Sequence, residues 1–130
     1  MIYNNVLLID DDLDDREFFM DAISELKKTL VCNTFSNGMN ALRQLTGQGL
    51  IVCPDIIFLD LNMPGISGME FLAKIKNNTQ LKNIPVIVFS TTSDAITIDE
   101  TKKMGAINFI TKPNSYADLV KMLELVLMQE

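Results

Sequence analysis

Hydrophobic residues along the chain follow two alternating patterns. Five short, almost entirely apolar runs are typical of strands, and they cover residues 6–9, 31–35, 56–59, 86–89 and 107–110. Segments with apolar residues at helical spacing follow each run, clearest at Phe19, Ala22, Ile23 and Leu26 and at Leu119, Met122, Leu123 and Val126. Weaker helical patterns lie around residues 39–45, 69–75 and 95–104. The pattern predicts a fivefold alternation of strand and helix.

Strands that are apolar on both faces predict a parallel sheet covered by helices on both sides. The predicted fold class is therefore α/β, doubly wound. In such a fold, a crevice opens at the carboxyl ends of the strands where the winding direction changes. The 130 residues predict one domain without internal repeats or linkers, and only one helix fits after Pro113, so no output domain is expected.

Composition and charge exclude several classes of function. Hydrophobic residues make up 48% of the chain and charged residues 22%, which is typical of a soluble globular protein. The net charge of -6 disfavours direct nucleic-acid binding. No run is long enough to insert into a membrane and no signal peptide is present, so a cytoplasmic location is predicted. With no histidine, and with Cys32 and Cys53 far apart, zinc sites and histidine-activated nucleophiles are not expected.

Aspartates follow two of the predicted strands at the point where each ends. Asp10 and Asp11 come after the first strand and Asp60 after the third, and these strands are neighbours if the first one is central. Two carboxylates about 4 Å apart repel by roughly 4 kcal/mol at an effective dielectric constant of 20, so the cluster requires a cation. Magnesium fits a site of a few carboxylates and water, whereas the twelve-residue spacing of a calcium loop is absent.

Asp60 is also a candidate nucleophile toward phosphorus. Lys112, after the fifth strand, would neutralise charge on the transferred group, and Ser90 or Thr91, at the end of the fourth, would donate a hydrogen bond. The remaining acids of the first loop are interpreted as helix-capping or helix-dipole residues: Asp12, Asp14 and Asp15.

Four motifs make the chain resemble the receiver domain of two-component response regulators. They are "LLIDDD", "DLNMPGISGMEFL", "IPVIVFST" and "GAINFITKP", in that order, and the resemblance covers essentially residues 1–130. It implies a CheY-like, flavodoxin-like (βα)5 fold with a parallel sheet in the order 2-1-3-4-5.

The resemblance also implies roles for individual residues. Asp60 would be the phosphoacceptor. Mg²⁺ would be bound by Asp11 directly, by Asp10 mainly through water, by Asp60 and by the backbone carbonyl of Asn62. Ser90 would be the switch hydroxyl, with Thr91 in the small-residue position after it. The remaining implied positions are the lysine Lys112, the switch aromatic Phe109, and Asn62 with Thr92 as residues that tune dephosphorylation. A cis peptide bond is predicted before Pro113, and Leu13 stands where proline is common.

The favoured hypothesis is a phosphorelay signalling protein. Asp60 would accept phosphate from a sensor histidine kinase or a histidine phosphotransfer protein, and no turnover enzyme is expected. One alternative is a receiver-fold scaffold that works without phosphorylation. Flavin binding is opposed by the acidic first loop, and a phosphohydrolase by Asn62, which occupies the position of the required second acid.

The output surface would be formed by the fourth helix, fifth strand and last helix. Its candidate exposed residues carry both signs, which suits a solvated surface or a dimer contact: Asp99, Lys102, Lys103, Asp118 and Lys121. The protein would be a monomer or a phosphorylation-linked dimer, acting on a downstream protein that the sequence does not identify.

Overall fold

A computed structural model of the protein describes residues 3–47, 52–92 and 94–128. In this part of the chain five strands alternate with five helices, as the hydrophobic pattern predicted. The elements are β1 (Asn5–Ile9), α1 (Leu13–Leu26), β2 (Val31–Phe35), α2 (Gly38–Thr46), β3 (Ile56–Leu59), α3 (Gly68–Lys76), β4 (Val86–Ser90), α4 (Ala95–Lys103), β5 (Asn108–Thr111) and α5 (Tyr116–Leu127). None of the described helices is long and apolar enough to cross a membrane.

The strands form one parallel sheet in the order β2-β1-β3-β4-β5, which confirms the predicted topology. Register aligns the ends of the central strands, because Ile9 is paired with both Leu59 and Phe35. The residues that follow β1 and β3, Asp10 and Asp60, are therefore adjacent at one edge of the sheet.

The sheet divides the hydrophobic core into two layers. The layer on the α2 and α3 side contains Leu7, Ile9 and Phe71, whereas the layer on the α1 and α5 side contains Val6 and Leu8. Alternate residues of β1 thus enter opposite layers, and both sets must be apolar. The predicted faces of α1 and α5 pack into the second layer. Their buried members are Phe19, Ala22, Ile23, Leu119 and Leu123, and their partly buried members are Leu26, Met122 and Val126.

Side chains at the helix starts satisfy backbone N–H groups that have no partner within the helix. The Asp12 side chain caps α1 by accepting a hydrogen bond from Asp15 N at 3.0 Å, as predicted. Ser67 and Glu70 form a reciprocal capping box at α3. The other N-caps are Asn37, Asp94 and Ser115.

Two predicted details differ from the structure. Strand β5 covers Asn108–Thr111, one residue later than predicted, because Asn108 pairs with Ile87 and Thr111 with Ser90. The cis bond predicted before Pro113 is wrong, since no cis peptide bond occurs among the described residues. A residue–proline bond favours trans by about 0.5–1 kcal/mol unless the surrounding fold reverses that preference, and here the trans form accompanies the hydrogen bond from Lys112 N to Ser90 O at 2.8 Å.

Candidate functional site

Three carboxylates meet at the carboxyl edge of the sheet, as the sequence predicted. One oxygen from each of Asp10, Asp11 and Asp60 lies within 4.8 Å of the other two. Asp10 is fully buried and Asp60 is 5% exposed, whereas Asp11 faces solvent. The cluster is therefore open on one side only.

The loop after β1 holds Asp10 in place. Its backbone N–H donates to Phe35 O at 3.0 Å, which extends the pairing with β2 by one residue. Its Oδ1 accepts from Asp12 N at 3.0 Å, and its carbonyl accepts from Arg16 Nη1 at 2.9 Å. Hydrogen bonds therefore hold the backbone N–H, the carbonyl and the side chain of Asp10 in place.

Asp60 is held by the β3–α3 connection. Its N–H donates to Ile9 O at 2.9 Å, and its Oδ1 accepts a long hydrogen bond from Asn62 N at 3.4 Å. The N-terminal residue of α3, Gly68, donates to Leu61 O at 3.0 Å. A Cβ atom at Gly68 would lie 2.4 Å from Asp60 O, so this helix packs against the backbone of the acid at a distance that only glycine permits.

Lys112 brings a positive charge into the carboxylate cluster. Its Nζ lies 2.8 Å from Asp10 Oδ2 and 3.8 Å from Asp60 Oδ2, and its side chain is 12% exposed. The ammonium also lies 5.8 Å from the centre of the Phe89 ring, within the range of a cation–π interaction. The predicted meeting of Asp10, Asp11, Asp60 and Lys112 is present in the structure.

One member of the site was missed by the sequence reasoning. Asp15, interpreted from the sequence as a helix-capping or helix-dipole residue, accepts a hydrogen bond from Lys112 Nζ at 2.7 Å, the shortest contact this lysine makes with a carboxylate. The available signal was its position: it is the third residue of a helix that begins directly after β1, close to the ends of the strands.

Burial and charge perturb the titration of these groups. Burial, reinforced by the charges of Asp10 and Asp11, raises the pKa of Asp60 to about 6, although Lys112 and the Asn62 N–H oppose the rise. Burial also raises the pKa of Asp10. For Lys112, burial lowers the pKa, but the contacts with Asp10 and Asp15 outweigh burial and the net pKa is raised. The lysine is therefore charged at neutral pH.

One buried oxygen of the cluster retains unused hydrogen-bonding capacity. Asp10 Oδ2 is close enough to Lys112 Nζ for an ion pair, yet the angles are not those of a hydrogen bond, and it has no other partner in the structure. Three carboxylates with one buried, unsatisfied oxygen and one open side form a donor set suited to a hard divalent cation. Asp10, Asp11 and Asp60 are the residues that could hold it.

The predicted switch residues lie at the end of β4 and in β5. Ser90 is fully buried at the end of β4, and its Oγ accepts from Thr92 N at 3.3 Å. Thr91 is exposed and Thr92 is half-buried, as is Phe109, which packs against the core layer on the α2 and α3 side. Asn62 is exposed next to Asp60.

Comparison with known proteins points to one family. The response regulator receiver domain family matches residues 6–124. The two-component response regulator ARR7 of Arabidopsis thaliana is 32% identical over 135 residues, which cover 97% of this chain and 64% of ARR7. The protein-glutamate methylesterase/protein-glutamine glutaminase of Bacillus subtilis (strain 168) is 35% identical over 117 residues, covering 88% of this chain and 30% of that protein. This chain thus spans less than two thirds of either relative.

Solved structures share the fold over nearly the whole chain. The phosphorylated cyanobacterial phytochrome response regulator RcpA aligns with a TM-score of 0.87 and 30% identity, covering 98% of this chain and 95% of RcpA. The Mn²⁺-bound form of response regulator Rcp1 aligns with a TM-score of 0.87 and 28% identity, covering 98% of this chain and 96% of that chain.

Proposed function

The chain belongs to the response regulator receiver domain family of two-component systems, and we propose that Asp60 accepts a phosphoryl group from a phosphohistidine of a partner protein. The partner would be a sensor histidine kinase or a histidine phosphotransfer protein. The observation that carries this proposal is the convergence of three carboxylates and one lysine at the edge of the sheet. A cytoplasmic location remains part of the proposal.

The proposed reaction is a transfer between two nucleophiles. An Asp60 carboxylate oxygen forms a bond to phosphorus while the bond from phosphorus to the donor imidazole nitrogen breaks, and the imidazole retains that electron pair. Lys112 would neutralise charge on a phosphoryl oxygen, and the Ser90 hydroxyl would donate a hydrogen bond to another. Positioning and charge stabilisation account for most of the catalysis of phosphoryl transfer, so these side chains are chemically sufficient.

A divalent cation is part of the same proposal. We expect Mg²⁺ to be held by Asp10, Asp11 and Asp60, with the backbone carbonyl of Asn62 as a further ligand. When bound, it would neutralise the carboxylates and the incoming phosphoryl oxygens. A structural neighbour was solved with Mn²⁺, which supports a divalent cation at the equivalent site here. Another neighbour was solved in a phosphorylated form.

Phosphorylation would change a surface through two residues. Ser90 would move toward the phosphoryl group, and Phe109, which has no hydroxyl, would repack and alter the surface formed by α4, β5 and α5. Such a switch requires two states of similar free energy, because a modification shifts an equilibrium only by its differential interaction with them. Thr91 would accommodate the movement, and Asn62 and Thr92 would set the rate of hydrolysis.

The alternative function is a receiver-fold scaffold that works without phosphorylation. The meeting of the acids with the lysine and the burial of the Ser90 hydroxyl at the end of β4 support the phosphoacceptor proposal over the scaffold. A turnover phosphohydrolase is disfavoured because Asn62 cannot act as the second acid.

Acetyl phosphate provides a direct test. With Mg²⁺ present, we expect the intact protein to gain one phosphoryl group by mass spectrometry, to lose it on treatment with hydroxylamine, and to gain nothing without a divalent cation. Asp60→Asn should remain unmodified, and Asp94→Asn, a matched change at an exposed helix cap, should be modified normally. A wild-type protein that stays unmodified with acetyl phosphate and with purified phosphohistidine donors would contradict the proposal.

A further inference from the structure

We propose that Asp15 is a positioning residue that holds the ammonium of Lys112 at the distance from Asp60 that a phosphoryl oxygen needs. This inference rests on the proposed function, because the distance between the Lys112 ammonium and Asp60 has a use only if Asp60 is phosphorylated. Asp15 is not one of the three carboxylates that could bind a metal ion, and it would act only through the lysine.

The three carboxylates around Lys112 Nζ lie at unequal distances. Asp15 Oδ2 is at 2.7 Å and Asp10 Oδ2 at 2.8 Å, whereas Asp60 Oδ2 is at 3.8 Å, beyond hydrogen-bonding range. The direct charge–charge attraction is strongest at the shortest distance. The lysine is therefore held on the side away from the phosphoacceptor, although Asp60 also attracts it.

Asp15 is well anchored for this task. Its backbone N–H donates to the Asp12 side chain, which fixes the residue in the first turn of α1. Its side chain is 37% exposed, so the carboxylate contacts water as well as the lysine. Asp10, the other close partner, is fully buried behind the site.

The remaining gap has a chemical use. A phosphoryl group on Asp60 places its oxygens two bonds beyond the carboxylate, in the space between Asp60 and the ammonium. A lysine ammonium has three N–H donors, of which one donates to Asp15, while Asp10 attracts the ammonium as an ion pair at 2.8 Å. A remaining donor can then meet a phosphoryl oxygen without breaking either contact, so no reorganisation is required during the transfer.

Without Asp15, the lysine has two attractive partners left, Asp10 and Asp60. We expect it to close onto Asp60 as a direct ion pair. That ion pair would stabilise the ground state. An incoming phosphoryl group would have to break it before reaction, so the barrier to phosphorylation would rise.

The matched comparison is Asp15→Ala against Asp14→Ala. Both remove one carboxylate from the first turn of α1, but Asp14 is exposed, and the ion-pair partners of Lys112 among the described residues are Asp10, Asp15 and Asp60. With acetyl phosphate and Mg²⁺, Asp15→Ala should slow phosphorylation roughly fivefold or more, with Asp14→Ala close to wild type. Asp15→Asn, which keeps an acceptor oxygen without the charge, should fall between them.

Two readouts separate positioning from a general structural effect. In a crystal structure of metal-free Asp15→Ala, the Lys112 Nζ to Asp60 distance should shrink to about 2.8 Å. In a Lys112→Ala background, Asp15→Ala should have no further effect on the phosphorylation rate. An unchanged distance, or equal rates for the two alanine variants, would overturn this inference and leave the proposed function standing. A wild-type chain that accepts no phosphoryl group overturns both.

Discussion

At the scale of single residues, the site combines negatively charged carboxylates with one positively charged lysine, and two of the carboxylates are buried. Asp10 and Asp60 are buried, Asp11 and Asp15 reach solvent, and Lys112 lies between them. The structure brings together Asp10, Asp11, Asp60 and Lys112, as the sequence predicted, but only the structure revealed the role of Asp15. Its contact with Lys112 joins residues 97 positions apart, and the rotation of a helix relative to a strand determines it. No local pattern in the sequence contains that information.

The pH dependence of stability should reveal the burial of Asp60. Its pKa is about 6 in the folded, metal-free protein, against about 3.9 in an unfolded chain. Between these values the unfolded state binds fewer protons, so the free energy of unfolding falls as pH rises. Relative to Asp60→Asn, wild-type protein in EDTA should lose about 2–3 kcal/mol between pH 4 and pH 7, measured by urea denaturation.

A surface carboxylate provides the control for this measurement. Asp118 is exposed, and its removal as Asp118→Asn should change stability by less than about 0.5 kcal/mol across the same range. If wild type and Asp60→Asn differ by a constant amount at every pH, the predicted pKa of Asp60 is wrong.

At the scale of elements, sequence patterns predicted the order and type of all five strands and helices. That success has a physical basis, because the three inner strands are buried on both faces and the helices that cover the sheet need an apolar stripe. Boundaries were less certain: β5 starts one residue later than its apolar run, since pairing with β4 and not hydrophobicity determines which residues belong to it. The cis form of the peptide bond before Pro113 was predicted from the family resemblance, and this prediction was wrong.

Two glycines begin helices and offer a test of how closely each helix approaches the sheet. Both Gly68 of α3 and Gly38 of α2 are buried. At Gly68 a Cβ would lie 2.4 Å from the backbone oxygen of Asp60, whereas at Gly38 it would meet the side chain of Ile66 at 2.8 Å. Because backbone cannot move aside as a side chain can, Gly68→Ala should cost about 2–3 kcal/mol of unfolding free energy, and Gly38→Ala less than about 1 kcal/mol.

Chemical denaturation of the two variants under identical conditions would measure this difference. Equal losses would mean that α3 can shift away from β3 without cost. Such a result would contradict the close packing of α3 against Asp60.

At the scale of the whole molecule, stability is distributed unevenly around the sheet. Strand β1 is an inner strand and all five of its residues are buried, whereas β2 and β5 at the edges are partly exposed. Helix α4 has one fully buried residue, Thr101, while α3, of equal length, has four. The pattern of apolar residues predicted both of these helices only weakly, so the sequence did not reveal their difference in burial.

Hydrogen exchange should follow this gradient. We expect the amides of β1 and β3 to exchange slowest, at the free energy of global unfolding, and those of α4 to exchange through local opening well below it. Helix α3 is the internal control, since it matches α4 in length and differs in burial. Equal protection of the two helices, measured by mass spectrometry or NMR on the metal-free protein, would contradict the prediction.

The separation of the core into two layers affects how the protein tolerates change. Phe19, Phe58 and Phe89 form edge-to-face contacts with one another and belong to the α1 and α5 layer, which is separate from the layer that packs α2 and α3. Mutations on opposite sides should therefore act almost independently. Protein engineers could exchange α1 and α5 with those of a homologue while keeping α2 and α3, and evolution could vary the two halves at different rates.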